Sequence, residues 1–260
     1  MTGMPSDRAV QDSVIRALAD APYRASVQWR RQGLADPDHV ERYARFLARH
    51  FYHERIVQFF KYSRALARVT GRAPEVILKS PAFDALLPTL VLGSRETAAA
   101  VARLVTAYVA AGGMPIPYLA DLLRYEEAMM VVEAGPRVWR DGTPTEGAGS
   151  GERYAPEKVE GTVLLELAFD LPAVLPRLLQ PWTEAPQAPE RRTKLLVARS
   201  RHGRVAVARS DGSVAAVIGL ADGRRTLEDL AAETGLASEA LAQTLRELVD
   251  LGAVRFSTGS

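Results

Sequence analysis

Two stretches near the carboxyl end decide the fold: residues 194–209, KLLVARSRHGRVAVAR, and residues 226–256, TLEDLAAETGLASEALAQTLRELVDLGAVRF. The first has two short apolar runs, each flanked by basic residues, on either side of His202-Gly203. This pattern predicts two short strands, Lys194 to Arg199 and Arg204 to Arg209, joined as a hairpin.

The second stretch predicts helices and a closing strand. Thr226, followed three positions later by Asp229, is typical of a capping box at a helix start. Ser238 is expected to cap a further helix that Gly252 ends. With a short helix at Val214 to Ala221 and a last strand at Val254 to Phe256, the order is strand, strand, helix, helix, helix, strand. This order predicts a winged helix-turn-helix module.

Residues 1–140 instead predict a body of successive helices. Asp36-Pro37-Asp38 favours a helix start, because Asp36 can cap backbone amides and proline suits the first turn. Further helices are expected over 51–69, in pieces broken at Pro81 and Pro88, and from Ser94 to about Ala111. A last helix runs from Tyr118 to Glu133. The large rings are expected to lie mostly in the core; they are Phe51, Phe59, Phe60, Tyr62, Tyr118 and Tyr125.

The predicted fold class is therefore mainly α with a small α+β domain. The proline-rich segment 181–192 marks the expected boundary between a helical domain, 1–180, and the winged-helix domain, 193–260. Within the first domain we expect a loop at 141–158 and a strand at 159–170. A short helix, Leu171 to Leu179, is expected to be interrupted by Pro176.

Composition excludes several classes of protein. A hydrophobic content of 47% with 25% charged residues is typical of a globular chain, and the net charge of +2 indicates neither a nucleic-acid nor a membrane partner. Cysteine is absent, which removes thiolate ligands and nucleophiles and fits a cytoplasmic location. We expect no membrane span and no targeting segment.

Three stretches contain residue types that can carry out chemistry. His50 and His53 have a spacing that could place both rings toward a metal, but no third ligand stands at an expected spacing. The neighbours Glu126 and Glu127 do not support a carboxylate pair. Residues 147–151, GAGSG, match neither a nucleophile elbow nor a phosphate loop. The sequence therefore predicts no catalytic residue, no metal site and no cofactor of its own.

Charge separates the two parts of the C-terminal module. Seven basic residues and no acid lie between Arg191 and Ser210, whereas residues 226–250 carry six acids and one arginine. Phosphate repulsion opposes the insertion of such an acidic helix into DNA. A basic strand beside an acidic helix favours an extended peptide added at a sheet edge, although the arginines could also be a merely solvated face.

The expected peptide-binding residues lie on the second strand, on the third helix and at the hairpin. They are Arg199, Arg204, Val205, Ala206, Val207, Ala208, Arg209, Leu241, Thr244, Leu245 and Leu248. We expect the two valines to face the core and the two alanines to leave space, because residues alternate between the faces of a strand.

Residues 220–230, LADGRRTLEDL, with 241–254, LAQTLRELVDLGAV, resemble the peptide-chaperone protein of pyrroloquinoline quinone biosynthesis. That protein typifies the precursor-recognition elements of ribosomally made, modified peptides. The resemblance covers about the last 65 residues. It implies that a precursor's leader pairs with the strand Arg204 to Arg209 and lies against the helix 238–251.

A longer stretch resembles the family of domain of unknown function 2063 and its relatives. The resemblance is carried by 55–71, 97–110, LLVAR at 195–199 and, best, YLADLLRYEEA at 118–128, although Glu127 departs from the commoner aromatic residue. Those proteins accompany multinuclear non-heme iron oxidative enzymes of family 692. The resemblance implies a non-catalytic partner that docks on such an enzyme, which would hold the iron. The implied enzyme-docking residues are Tyr118, Asp121, Arg124 and Tyr125.

Precursor recognition for a peptide-modifying iron enzyme is therefore the leading functional hypothesis. A winged-helix transcriptional regulator is the alternative. The expected fold supports it, and the acidic charge of the helix 238–251, which would enter the major groove, opposes it. A catalyst that acts alone and an unassigned interaction protein also stay open. The sequence names neither the modified residue nor the leader.

Overall fold

The structure is a computed structural model that describes residues 7–32, 36–113, 115–135 and 154–258. Helices predominate in these ranges, and two small antiparallel sheets lie in the C-terminal half. The predicted class, mainly α with a small α+β part, is confirmed at this level. The chain divides into two compact units, Met1–Ile116 and Pro117–Ser260, which we call unit 1 and unit 2.

In its described residues, unit 1 is helical. Its α-helices are α1 (Asp7–Ala19), α2 (Ala21–Arg24), α3 (Val27–Arg30), α4 (Pro37–Phe59), α5 (Lys61–Ala65), α6 (Ala67–Thr70), α7 (Pro81–Leu86) and α8 (Arg95–Ala110). Two 3-10 turns, Pro74–Lys79 and Leu87–Thr89, lie on either side of α7. The expected breaks at Pro81 and Pro88 are thus found, each proline standing in the first turn of a new element.

The longest helix, α4, starts as its sequence predicts. The side chain of Asp36 accepts a hydrogen bond from the amide of His39 at 2.8 Å, and Pro37 occupies the first turn. Since no glycine or proline interrupts 38–59, the helix continues through the aromatic segment that was expected to form a separate helix. Its buried residues are Ala44, Ala48, Tyr52, Ile56 and Phe59, which share one face.

Aromatic rings form part of the core of unit 1, and Phe59 and Phe60 are buried as predicted. Phe60 and Phe83 are fully buried, and Tyr52 meets Phe83 edge to face with ring centroids 6.5 Å apart. Phe59 is buried, while Phe51 and Tyr62 are half-buried. The contact of Tyr52 with Phe83 packs α4 against α7.

Unit 2 combines five strands with five helices in its described part. They are α9 (Leu119–Glu133), β1 (Tyr154–Lys158), β2 (Val163–Leu167), α10 (Leu171–Leu178), β3 (Thr193–Arg199), β4 (Val205–Ser210), α11 (Gly212–Leu220), α12 (Leu227–Thr234), α13 (Ser238–Leu251) and β5 (Val254–Thr258). β1 pairs with β5, and β2, β3 and β4 form an antiparallel sheet in that order.

The three-stranded sheet is covered on both faces. Leu196 and Ala198 of β3 belong to a core cluster with the buried residues of α11, α12 and α13. Leu195 and Val197 are also buried, and by the alternation of a strand they point to the opposite face. α9 packs against β2 and β3 there, and Arg199, which shares that face, donates a 2.7 Å hydrogen bond to the carbonyl of Gly135 just beyond α9.

The domain division differs from the predicted one. β2 and α9 were assigned to a domain ending at 180, yet they belong to unit 2, and β2 pairs residue by residue with β3. The proline-rich segment is packed within unit 2, because the hydroxyl of Tyr118 donates to the carbonyl of Pro186 at 2.6 Å. Segment 181–192 is therefore not a spacer between compact units. Local composition could not reveal these long-range contacts.

Several boundaries also shift. Residues 141–153 of the expected loop lie outside the described residues, whereas 154–158 form β1 instead of loop. The expected strand 159–170 is shorter, Val163–Leu167, because a turn with Gly161 at φ +93 precedes it. α10 continues through Pro176 without a break. Ser238 is the first residue of α13 and not its cap, since Ala237 occupies the cap position.

No helix in the described ranges is both long and apolar enough to span a bilayer.

Candidate functional site

The candidate site is the strand β4, which lies at the edge of the three-stranded sheet. Within the described residues its strand neighbour is β3, so one long side of β4 pairs with no strand. Val207 near its middle is 37% exposed, which is unusual for a valine in a sheet. An exposed edge of this kind presents backbone N–H and C=O groups to a strand of another chain.

The hairpin fixes which backbone groups face outward. The amide of Ser200 donates to the carbonyl of Arg204 at 2.8 Å, so these two residues form a hydrogen-bonded pair. Hydrogen-bonded and non-hydrogen-bonded pairs alternate in an antiparallel ladder. Ala206 and Ala208 therefore bond to β3, and the N–H and C=O groups of Val205, Val207 and Arg209 point away from it.

The side chains of β4 are oriented opposite to the expectation. Ala206 lies opposite Ala198, and Ala208 lies opposite Leu196. Since Ala198 and Leu196 belong to the core formed with α11 to α13, the alanines face these helices and the valines do not. The predicted facing was wrong, because the sequence does not show which face of the hairpin meets which helices.

The four residues predicted on α13 have a structural role. Leu241, Leu245 and Leu248 are 2–3% exposed and form the core with Leu196 and Ala198. Thr244 is half-buried, and its hydroxyl donates to the carbonyl of Ala240 at 2.9 Å. The leucines therefore support the sheet, and a ligand at the surface cannot reach them unless the helix moves.

The arginines of the hairpin have different surroundings. Arg199 is 10% exposed and binds the carbonyls of Gly135 and Gly203, so it ties the hairpin to the end of α9. Arg204 is exposed, and its amide donates to the hydroxyl of Ser200 at 3.3 Å. Arg204 is therefore accessible to a ligand, whereas Arg199 has a structural role.

Arg209 belongs to an ion-pair network at the end of β4. It donates to Oδ1 of Asp170 at 2.7 Å, and Arg191 binds Oδ2 of the same carboxylate. Burial by itself raises the pKa of Asp170, but the hydrogen bonds and charges of Arg209 and Arg191 outweigh it and hold the pKa below its ordinary value. The sequence offered Arg209 as a site residue but gave no signal for Asp170, which lies 39 residues away along the chain.

The predicted enzyme-docking residues are mostly buried. Tyr118, Asp121 and Tyr125 are 2–8% exposed. Asp121 accepts hydrogen bonds from the amides of Ala168 and Phe169 at 2.6 and 3.0 Å, while Arg124 is exposed and donates to the carbonyl of Glu166 at 2.8 Å. Tyr118 and Asp121 therefore contact the segment after β2, and of the four predicted residues Arg124 is the one at the surface.

A row of exposed rings on α4 was not predicted from the sequence. Tyr43 and Phe46 are 47% and 61% exposed, and their rings stack with centroids 6.2 Å apart. The ring of His50 stacks on Phe46 at the same separation. Their spacing of three and four places them on one face, opposite the buried residues of α4. That spacing is visible in the sequence, but the spacing alone does not show that these rings are exposed.

The candidate chemical groups are placed as follows. Nδ1 of His53 lies 3.5 Å from Oε1 of Glu54, and His50 belongs to the ring row. Glu126 is fully buried in α9. Residues 147–151 lie outside the described residues. Over the described ranges, no three His, Cys, Asp or Glu side chains are grouped so that they could hold a metal ion.

The acidic side chains of α12 and α13 are exposed at the surface. Glu228, Asp229 and Glu233 of α12 are exposed, as are Glu239, Glu247 and Asp250 of α13. Glu233 binds Nε of Arg225 at 2.9 Å. The exposed surface of α13 thus presents carboxylates to solvent with Arg246 as its basic residue.

A scan against protein-family models finds no matching family, and a search of curated proteins finds no similar sequence.

Proposed function

We propose that this chain is a non-catalytic recognition protein that binds the leader of a ribosomally made precursor peptide and presents it to a multinuclear non-heme iron oxidative enzyme of family 692. The observation that carries the proposal is the exposed edge of β4. The outward backbone groups of Val205, Val207 and Arg209 can each pair with a peptide strand. In this proposal the iron belongs to the partner enzyme.

The module from β3 to β5 runs strand, strand, helix, helix, helix, strand, and the alternative proposal interprets this order as the winged helix of a DNA-binding regulator. Its helices favour the peptide function. In a helix-turn-helix pair the second helix enters the major groove. In this alternative that helix would be α13, which exposes Glu239, Glu247 and Asp250. These carboxylates would lie against phosphates, so peptide recognition by the basic hairpin is the better supported function.

Unit 1 is proposed to dock on the enzyme through the ring row Tyr43, Phe46 and His50. The feature that supports this role is the exposure of two large rings on the solvent side of a long helix. Clustered apolar side chains at a surface are typical of interaction sites. This surface replaces the buried residues of α9 in the docking hypothesis.

The proposal is tested with the full chain, a family-692 enzyme and a short candidate precursor peptide. The labelled precursor and a random DNA duplex are titrated separately against the chain at low and at physiological salt. We expect saturable precursor binding, weak DNA binding and precursor modification that requires the chain. No precursor binding together with tight, salt-sensitive DNA binding would contradict the proposal and favour the regulator.

The docking role has its own measurement. We expect Phe46→Ser in the full chain to reduce co-purification with the enzyme while precursor binding is unchanged. Ile15→Ser is the matched control, because Ile15 is a large apolar residue that is 65% exposed on another helix. Equal enzyme recovery with both variants would contradict docking through the ring row.

A further inference from the structure

The end of the β4 edge carries a pair of guanidinium groups held by one buried carboxylate. The side chain of Asp170 is 3% exposed, whereas those of Arg191 and Arg209 are 66% and 51% exposed. Arg191 and Arg209 come from different segments, the approach to β3 and the edge strand itself. Two arginine heads are therefore fixed side by side at the surface by an acceptor that solvent hardly reaches.

The charges in this group do not balance. One carboxylate faces two guanidinium groups, which leaves a surplus of one positive charge. Each guanidinium has five N–H donors, and the bonds to Asp170 use only part of them. A pair of half-exposed, pre-oriented arginines is suited to bind a carboxylate, because little side-chain freedom remains to be lost on binding.

The position of Arg209 on β4 relates this charge to a peptide strand. Arg209 and Val207 are two residues apart, so their side chains lie on the same face of the sheet, and both have outward backbone groups. In an antiparallel pair, directly opposed residues project to the same face. A peptide residue opposite Val207 would meet an exposed apolar side chain, and the residue two positions earlier in the peptide would lie opposite Arg209.

We propose that Arg209 and Arg191, positioned by Asp170, make this edge selective for an antiparallel peptide that carries an acidic residue two positions before an apolar one. The inference rests on the proposed function, which it deepens by naming the pattern that the edge recognises. Arg209 contacts the peptide carboxylate, and Arg191 supplies the charge surplus. Antiparallel pairing is favoured because it is somewhat more stable per residue than parallel pairing.

The test begins with a display library of short random peptides selected against the full chain. We expect the selected sequences to share an acidic residue two positions before an apolar residue. Selected peptides without this pattern, or with the acid two positions after the apolar residue, would overturn the inference but leave peptide binding intact. Failure to select any peptide would instead contradict the proposed function.

A cycle of substitutions then isolates the charge. A selected peptide and its Glu→Gln or Asp→Asn form are titrated against wild type, Arg209→Gln and Arg191→Gln. We expect wild type to prefer the acidic form about twofold to fivefold, the range of an exposed ion pair. Arg209→Gln should bind both forms equally, and Arg191→Gln should lose most of the preference, because one guanidinium then balances one carboxylate.

The matched control is Arg246→Gln, which removes an exposed arginine whose side chain hydrogen-bonds Gln243 of its own helix, α13. It should keep the full preference for the acidic form. Thermal unfolding of each variant shows that it is folded, and a purely structural network would change the unfolding temperature without altering the ratio of the two affinities. An unchanged ratio in Arg209→Gln would overturn the inference.

Discussion

Ala208 of β4 lies directly opposite Leu196 of β3, and both side chains face the core formed with α11, α12 and α13. This pair shows why the edge strand has small residues on one face. Leu196 is 1% exposed and Ala208 is half-buried, so a larger side chain at 208 would compete for space with the packed Leu196. The next residue along the strand, Val207, points to the other face and is 37% exposed.

The first prediction compares these neighbours. Ala208→Leu should lower the free energy of unfolding by about 1–3 kcal/mol, because the added atoms overpack the core. Val207→Leu should change it by less than about 0.5 kcal/mol, since the side chain is partly in solvent. Urea denaturation of both variants measures the difference. Equal stabilities would show that Ala208 does not face the core.

The second prediction concerns the end of α13. Gly252 has φ +82, and a Cβ there would lie 2.9 Å from Cα of Ser200 and even closer to the carbonyl oxygen of Arg199. Gly252→Ala should therefore destabilise unit 2 by clash as well as by backbone strain.

Gly235 is the matched control for this substitution, because it has φ +69 at the end of α12 and no atom within 4 Å of an added Cβ. Gly235→Ala should cost about 1–2 kcal/mol for the left-handed conformation alone. Gly252→Ala should cost clearly more in the same denaturation experiment. A smaller loss at Gly252 would contradict the close approach of α13 to the hairpin.

The third prediction concerns pH. The arginines hold the pKa of Asp170 below its ordinary value near 3.8, so the unfolded chain takes up a proton at this group more readily than the folded chain. Its contribution to stability is thus present above pH about 4 and is lost as the pH falls through the lower, folded-state pKa. The gap in unfolding free energy between wild type and Asp170→Asn should be largest near pH 6 and should shrink as the pH falls below about 3.8.

Asp12→Asn controls for the loss of one negative charge, since Asp12 is exposed on α1. Its stability relative to wild type should vary less with pH than that of Asp170→Asn. Parallel curves for the two variants would contradict the ion-pair network at the end of β4.

The fourth prediction distinguishes structural from binding arginines. Arg199→Ala should lower the unfolding free energy by roughly 1–3 kcal/mol, because the carbonyl of Gly135 loses its 2.7 Å hydrogen bond. Arg204→Ala should leave stability nearly unchanged, because the Arg204 side chain is exposed. Thermal and urea unfolding of the two variants check this. A larger loss at Arg204 would reverse the two roles.

Local signals were sufficient for the elements but not for their assembly. The Asp36 cap, the Thr226 capping box and the stop at Gly252 depend on residues close in sequence, and each was predicted. The pairing of β2 with β3 depends on residues about 30 positions apart and was missed. The burial of Tyr118 was also missed, because the local sequence does not show whether a tyrosine lies in the core or at a docking surface.

Of the elements that form the candidate site, the sequence predicted the two strands of the hairpin. The hairpin and its basic residues could be recognised, but the facing of β4 depends on which helices cover each side of the sheet. The network of Asp170 with Arg191 and Arg209 joins three separate segments. No spacing rule connects such residues before the fold is known.

The most direct measurement is a binding titration of the precursor, or of a selected peptide, against the Val207→Pro and Val207→Ala variants. Proline removes an outward backbone donor while the bonds of Ala206 and Ala208 to β3 remain, whereas alanine keeps that donor and only shortens the side chain. With both variants shown to be folded, strand addition predicts that Val207→Pro weakens binding tenfold or more and that Val207→Ala stays within about threefold of wild type. Equal affinities of the two variants would contradict peptide recognition at the edge of β4.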